Sequence, residues 1–292
     1  MVLAEIANAF EQYGFFQVVN HGIPSSILHN TLSAGKQFFD LPAHEKQKYA
    51  NNPLTYEGYG SRIGVQKGAI LDWGDYFYFH VLPASIRDPS KWPRKPVSWR
   101  ETMEEYSKHL SKLAESLLCA MSMTLGLAPQ GLRQSFGGDI NLSLRINFYP
   151  PCPQPNLTLG LSAHSDPGGL TILMQDDEIP GLQVRYDGNW IRVKPAPGGL
   201  TVNLGDQIQI MTNGIYKSIE HRVVVNQHKE RVSVAAFFSP GNDTNVGPMM
   251  ELTSPDRPAK YPKMSFKEYR SFIRRRGTQG KQVLQSMESS TQ

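Results

Sequence analysis

Thiols are nearly absent from this chain: its 292 residues include two cysteines, Cys119 in an apolar helical run and Cys152 between prolines. Two unpatterned thiols exclude a disulfide framework and a thiolate zinc site, and they suit a reducing compartment. Long apolar runs are also missing, so no membrane-spanning segment is expected, and the N-terminus lacks the basic-then-apolar profile of a secretion signal. Charge of one sign is scarce. A formal charge of +4 argues against a dedicated nucleic-acid surface, which needs a clustered stripe of Lys and Arg. The dense cluster Arg274-Arg275-Arg276 reads as a solvated helix end. What remains is a cytoplasmic, enzyme-sized protein. It is expected to be monomeric, with a small-molecule substrate and with neither nucleic acid nor membrane as partner.

Apolar, charged, Gly and Pro contents are those of an ordinary globular protein, with ample chain for a core. Apolar positions at helical spacing run from Val2 to Phe10, and Phe15-Phe16-Gln17-Val18-Val19-Asn20 reads as a buried strand closed by His21-Gly22. Pro24, Ser25 and Ser26 stand at capping positions for an amphipathic helix over 27–39. The isolated His21, His29 and His44 read as surface or packing residues. Tyr56-Glu57-Gly58-Tyr59-Gly60 is glycine-broken and predicts a loop. Residues 72–80 predict an aromatic strand with Tyr76, Tyr78 and His80 on one face, either sheet core or one wall of a pocket. A scaffold helix is expected over 98–127, with His109 facing solvent.

From Leu142 the character changes to short β-branched runs separated by Pro, Gly, Asn and Asp. Strands are predicted at 142–149, 157–164, 170–175, 182–186, 190–193, 200–203, 207–211, 219–225 and 232–238, followed by a C-terminal helix over 265–274. That spacing predicts an antiparallel sandwich or jelly roll. The expected fold class is mixed α/β (α+β). The helical N-terminal region (1–135) packs on a β core (140–245), and a C-terminal helix and tail (246–292) closes the chain.

One triplet carries chemistry. In an extended strand residues i and i+2 share a face, so His164-Ser165-Asp166 presents one imidazole beside one carboxylate. His221, in Ser218-Ile219-Glu220-His221-Arg222-Val223, is far enough downstream to return on a neighbouring strand. Two His and one carboxylate on one face of a metal leave three coordination positions open, as in non-haem Fe(II) oxygenases. Arg231-Val232-Ser233 places a guanidinium and a hydroxyl on one strand face, a pairing suited to clamp a carboxylate. Arg145, Asn147 and Tyr149 likewise share a face, directed at a common cavity or outward to water.

These residues, together with Asn147-Phe148-Tyr149-Pro150-Pro151-Cys152-Pro153 and Tyr13-Gly14-Phe15-Phe16, resemble the plant 2-oxoglutarate- and Fe(II)-dependent dioxygenases over nearly the whole chain. The resemblance implies a double-stranded β-helix (jelly roll) core with His164, Asp166 and His221 as iron ligands. It further implies that Arg231, Ser233 and Tyr149 hold the distal carboxylate of 2-oxoglutarate, with Asn147 close to it. Implied cofactors are Fe(II), 2-oxoglutarate and O2, with ascorbate in support, and the products are succinate, CO2 and an oxidised substrate.

Within that family, the stretch 55–73 is most similar to the jasmonate oxidases, which hydroxylate jasmonic acid. The resemblance implies that Arg145, Arg270 and Arg274 hold the substrate carboxylate, with Phe238 also among the substrate-binding residues. Arg270 and Arg274 are four apart and share a helix face, and they flank the apolar Phe272-Ile273. The alternative is a flavonoid enzyme of the same fold, a flavone synthase or flavanone 3-hydroxylase, which has no need for both helix arginines. A zinc hydrolase has no use for the Arg231–Ser233 clamp, and a silent binding module has no reason to keep every ligand. Relatives carry a segment with a first strand ahead of Tyr13-Gly14, so the expectation is a shortened chain or a tolerated open sheet edge.

Overall fold

Eleven consecutive residues with an apolar stripe open the molecule as a helix, and the rest of the chain alternates in the same way between stripes and pleats. The computed structural model describes residues 2–52, 55–61, 71–138, 140–276 and 281–288. Of the stretch 55–73, residues 62–70 lie outside the described residues. In chain order the elements are α1 (Val2–Gln12), β1 (Phe15–Val18), α2 (Ser25–Phe39), α3 (Ala43–Gln47), β2 (Gly58–Gly60), β3 (Asp75–Leu82) and α4 (Trp99–Thr124). There follow α5 (Gly131–Ser135), β4 (Asn141–Tyr149), β5 (Leu161–His164), β6 (Leu170–Gln175), β7 (Leu182–Tyr186), β8 (Asn189–Arg192) and β9 (Leu200–Leu204). The chain continues with α6 (Asp206–Met211), β10 (His221–Val223), β11 (Arg231–Ser239), β12 (Asn245–Val246), β13 (Met264–Ser265), α7 (Phe266–Arg276) and α8 (Gln282–Gln285). Among the described residues no helix is long and apolar enough to cross a membrane.

The strands form a seven-stranded sheet, β1-β9-β6-β11-β4-β3-β2, and a four-stranded sheet, β5-β10-β7-β8, with all pairs antiparallel. Two sheets facing each other with this crossing order make the expected jelly roll. Period-2 alternation decides what each face carries. On β4, Leu142, Leu144 and Ile146 turn to the helices and are fully buried, while Arg145, Asn147 and Tyr149 turn into the barrel. On β11, Val234, Ala236 and Phe238 join the helix-backed core, and Arg231, Ser233, Ala235 and Phe237 line the interior.

Helices α2 and α4 cover the outer face of the large sheet. The α4 stripe Trp99, Met103, Tyr106, Leu110, Ala114, Leu117 and Met121 recurs at three and four residues and is buried along its length. Phe38 of α2 meets Phe77 at 4.9 Å and Trp99 at 5.3 Å between ring centroids, so aromatic packing locks the helical layer to β3. This layer fixes the large sheet as a rigid wall, and the site sits on the opposite, concave side.

Four expectations are corrected. The segment 207–211 is helical, not a strand. Its Gln-Ile-Gln-Ile alternation imitates a pleat, but polar and apolar side chains alike are buried, so the alternation did not report a wet and a dry face. Residues 58–60 form β2 rather than a loop, paired with β3, and Gly58 at φ +118° lets its backbone pass against Tyr49 and Asn51. His109 is half-buried, 3.5 Å from Glu105 one turn away, rather than fully solvent-facing. The strand 15–20 is half-buried and ends at Val18.

Candidate metal centre and its pocket

His164 ends β5 and faces His221, which begins β10, as a direct register pair. Their ring centroids are 4.3 Å apart. Asp166 lies two residues past His164, beyond the strand end, so the turn and not the pleat aims its carboxylate back. Its Oδ1 is 3.7 Å from His164 Nε2 and 3.8 Å from His221 Nε2. One ligand atom from each of the three lies within 4.8 Å of the others, and among the described residues this is the one such cluster of metal-ligating side chains.

The donor set suits a divalent ion. His164 Nδ1 donates to the Ser162 carbonyl at 2.8 Å and His221 Nδ1 to the Ile219 carbonyl at 3.3 Å. A carbonyl only accepts, so each proton resides on Nδ1 and each Nε2 lone pair points into the cluster. Asp166 Oδ2 accepts from Thr171 Oγ1 at 2.6 Å and Asn203 Nδ2 at 2.8 Å, which leaves Oδ1 for a metal. Burial, reinforced by neighbouring His221, pushes the His164 imidazole down to about 4, so its neutral form is the resident one. Burial alone would raise Asp166, but His221, His164 and the two hydrogen bonds hold it below its ordinary value.

The cluster opens into a cavity inside the barrel. Arg231 stands across it, 3% exposed, directly opposite Tyr149 in the β4–β11 register, as Ser233 is opposite Asn147. Its Nε donates to the Ile179 carbonyl at 3.1 Å, its Nη2 to Gln175 Oε1 at 2.9 Å, and its Nη1 reaches Ser233 Oγ at 3.5 Å. A guanidinium has five N–H donors, and these three contacts leave the remainder on the side of Tyr149 and the cavity it lines. Arg231, Ser233, Asn147 and Tyr149 are thus brought together in the cavity, the first of the two directions, cavity or water, that the strand alternation left open for Asn147 and Tyr149.

Arg145 faces the same cavity opposite Ala235 of β11 and Tyr78 of β3. Its guanidinium lies over the Tyr76 ring, and its buried Nε finds no hydrogen-bond partner among the described residues. Burial lowers its pKa. Arg270 donates to Asn242 Oδ1 at 3.2 Å, and Arg274 lies 4.8 Å over the Tyr56 ring, in the field of Arg270 and Tyr78. Burial lowers Arg274 too. Phe238 is the correction here. It is 2% exposed on the core side of β11, and Phe237 lines the cavity instead. Counting by twos from Arg231 reaches Phe237, so the sequence held that signal. The anchors Thr171, Gln175 and Asn203 were also missed; a lone Asn in the apolar run Leu200-Thr201-Val202-Asn203-Leu204 was the available clue.

Residues 140–240 match the model of the 2OG-Fe(II) oxygenase superfamily, and residues 1–95 match that of the non-haem dioxygenase in morphine synthesis N-terminal family. The chain is 53% identical to jasmonate-induced oxygenase 4 of Arabidopsis thaliana, over 97% of this chain and 80% of that protein. The chain belongs to the 2OG-Fe(II) oxygenase superfamily. It is an oxidoreductase of the dioxygenase type. This oxygenase is also 41% identical to the oxoglutarate-dependent flavonoid 7-O-demethylase 1 of Ocimum basilicum, over 98% of this chain and 76% of that protein. A crystal structure of JOX2 in complex with 2OG, Fe and JA superposes on it with a TM-score of 0.96 at 49% identity, covering 99% of this chain and 86% of that one.

Proposed function

We propose that this oxygenase hydroxylates jasmonic acid, consuming O2 and 2-oxoglutarate and releasing succinate and CO2. The observation that carries the reading is the buried Arg145, cationic, lying over the Tyr76 ring, and lacking a partner for Nε among the described residues. A buried guanidinium without a carboxylate is poised for an anionic ligand, since an unpaired buried charge is unfavourable until one arrives. The similarity to jasmonate-induced oxygenases and to a complex containing JA supports that anion as jasmonate.

In this reading His164, Asp166 and His221 hold Fe(II), which when bound supplies O2 activation coupled to decarboxylation of 2-oxoglutarate. Arg231 and Ser233 take the distal carboxylate of the cosubstrate, with Tyr149 and Asn147 beside it. Arg145, Arg270 and Arg274 take the substrate carboxylate. Leu161, Leu182 and Val184 of the small sheet keep water from the reacting face. Thr171 and Asn203 hold Asp166 in one rotamer. The protein's share is orientation and exclusion of water. We place the enzyme in the cytoplasm as a monomer, with ascorbate in support and no nucleic acid as partner.

The test is incubation of the iron-loaded protein with jasmonic acid and naringenin in competition, read by mass spectrometry. One oxygen added to jasmonate supports the proposal. Hydroxylation of naringenin, or loss of two hydrogens from it with jasmonate untouched, replaces it with a flavonoid oxidase.

A further inference from the structure

Asp206 is a buried carboxylate to which the reaction above assigns nothing. It opens α6 and is 1% exposed. Three hydroxyls from three separate segments donate to it. Ser165 Oγ, between His164 and Asp166, reaches Oδ2 at 3.2 Å, and Ser218 Oγ, just ahead of His221, reaches Oδ1 at 2.8 Å. Tyr269 OH, from α7, reaches Oδ2 at 2.7 Å.

The backbone tightens the same knot. Asp206 N donates to the Asp166 carbonyl at 2.8 Å and Gln207 N to the Gly168 carbonyl at 2.9 Å. Gly205 passes so close to the carbonyls of Gly168 and Asp166 that a Cβ there would overlap both. A second link from the C-terminal segment is made by Lys281 Nζ, which donates to the Ser218 carbonyl at 2.7 Å.

We propose that Asp206 is a positioning residue that couples the seating of α7 to the geometry of His164, Asp166 and His221. The inference rests on the reading that those three hold iron and that α7 carries substrate-binding arginines. A buried carboxylate is satisfied only while its donors stay within hydrogen-bond reach, so displacing one forces the others to follow or leaves charge unsolvated. Two of its three donors are on the segments that carry the metal ligands. The third, Tyr269, directly precedes Arg270, so a ligand held by the α7 arginines acts on it. Binding coupled in this way is reciprocal: substrate on α7 tightens the metal, and the metal tightens substrate.

Tyr269→Phe keeps the ring in the core and deletes only the hydroxyl; Asp206→Asn is the companion variant, and Tyr269→Phe decides if the companion fails to fold. Co(II) is titrated into metal-free full-length protein and followed by visible absorption, with and without jasmonic acid. Wild type is expected to bind Co(II), and more tightly with jasmonic acid. Tyr269→Phe is expected to weaken Co(II) by about three- to tenfold, at or below what loss of an outer partner of a metal ligand gives, and to abolish the tightening. A Tyr269→Phe protein with wild-type affinity, or with weakened affinity but an intact response to jasmonic acid, overturns the coupling. A wild-type protein that does not bind Co(II) overturns the metal reading instead.

Discussion

The guanidinium of Arg145 lies 4.4 Å from the centroid of the Tyr76 ring, and that ring is itself pinned by Asn51, whose Nδ2 donates to the Tyr76 hydroxyl at 2.5 Å. A ring face attracts a cation without neutralising it, so the charge is held in place and remains available to an anion. Positions on two strands and one loop thereby prepare a single anion site.

Arg145→Met follows from this relationship. The substitution removes a buried charge with no carboxylate ion pair among the described residues, a replacement that is often neutral or stabilising. Apparent affinity for jasmonic acid is expected to fall at least about tenfold, while the melting temperature stays the same or rises. Joint loss of substrate affinity and stability would show that Arg145 serves the fold instead.

Arg231→Ala separates cosubstrate from substrate. Its side chain is anchored by Ile179 and Gln175 and keeps donors free toward the cavity. Losing the partner of a buried carboxylate weakens binding by about 2–5 kcal/mol. The KM for 2-oxoglutarate should therefore rise by more than about tenfold, with binding of jasmonic acid to the metal-loaded protein little changed. An unaltered KM excludes the clamp.

Adjacent phenylalanines on β11 should respond in opposite ways. Phe238 is 2% exposed and packs in the core, so Phe238→Ala is expected to destabilise the fold by about 3–5 kcal/mol, as read by urea denaturation. Phe237 lines the cavity, so Phe237→Ala should alter substrate KM with a much smaller stability loss. The reverse pattern would mean that β11 is registered one residue away.

Those two residues also mark where sequence reading ends. Strands β6 and β7 were legible to the residue because turn residues bracket β-branched runs, and i, i+2 spacing put Arg231 and Ser233 on one face of β11, whereas Asp166 follows the end of β5, so a turn and not the pleat sets it beside His164. Phe237 and Phe238 are chemically identical, so only the phase of the pleat, which counting by twos from Arg231 carries to Phe237 and pairing with β4 fixes, tells core from cavity. The helix α6 was illegible for a related reason: complete burial erases the polar–apolar contrast from which periodicity is read. A partner such as Gln175 becomes visible only once β6 lies beside β11 in the large sheet.

His80 gives a pH dependence independent of the metal. Burial lowers its pKa, with Glu57 opposing and Arg270 and Lys91 pushing the same way as burial, and its Nδ1 has no partner among the described residues. The folded value lies below the unfolded one, so below about pH 6.5 the unfolded chain binds more protons at this site. Its contribution to stability is complete above that pH and is lost as pH falls toward the folded value. His80→Phe should flatten the fall of the urea midpoint as pH drops below about 6.5, relative to wild type. An unchanged slope would place the titration elsewhere.

Asp166 is held by two donors on one oxygen, and removing one tests how much that tether matters. Asn203 Nδ2 and Thr171 Oγ1 both bind Oδ2, which fixes the rotamer that turns Oδ1 toward His164 and His221. Asn203→Ala leaves Thr171 as the single tether, and the carboxylate can then rotate about its Cβ–Cγ bond. Loss of an outer partner of this kind lowers metal affinity by about 10–100-fold. Fe(II) measured anaerobically should bind that much more weakly to Asn203→Ala, with saturating Fe(II) restoring most of the turnover. Thr171→Ser, which keeps the hydroxyl donor, should bind Fe(II) as wild type does. If Asn203→Ala instead loses turnover at full Fe(II) occupancy, the tether sets the reacting geometry and not merely the occupancy of the site.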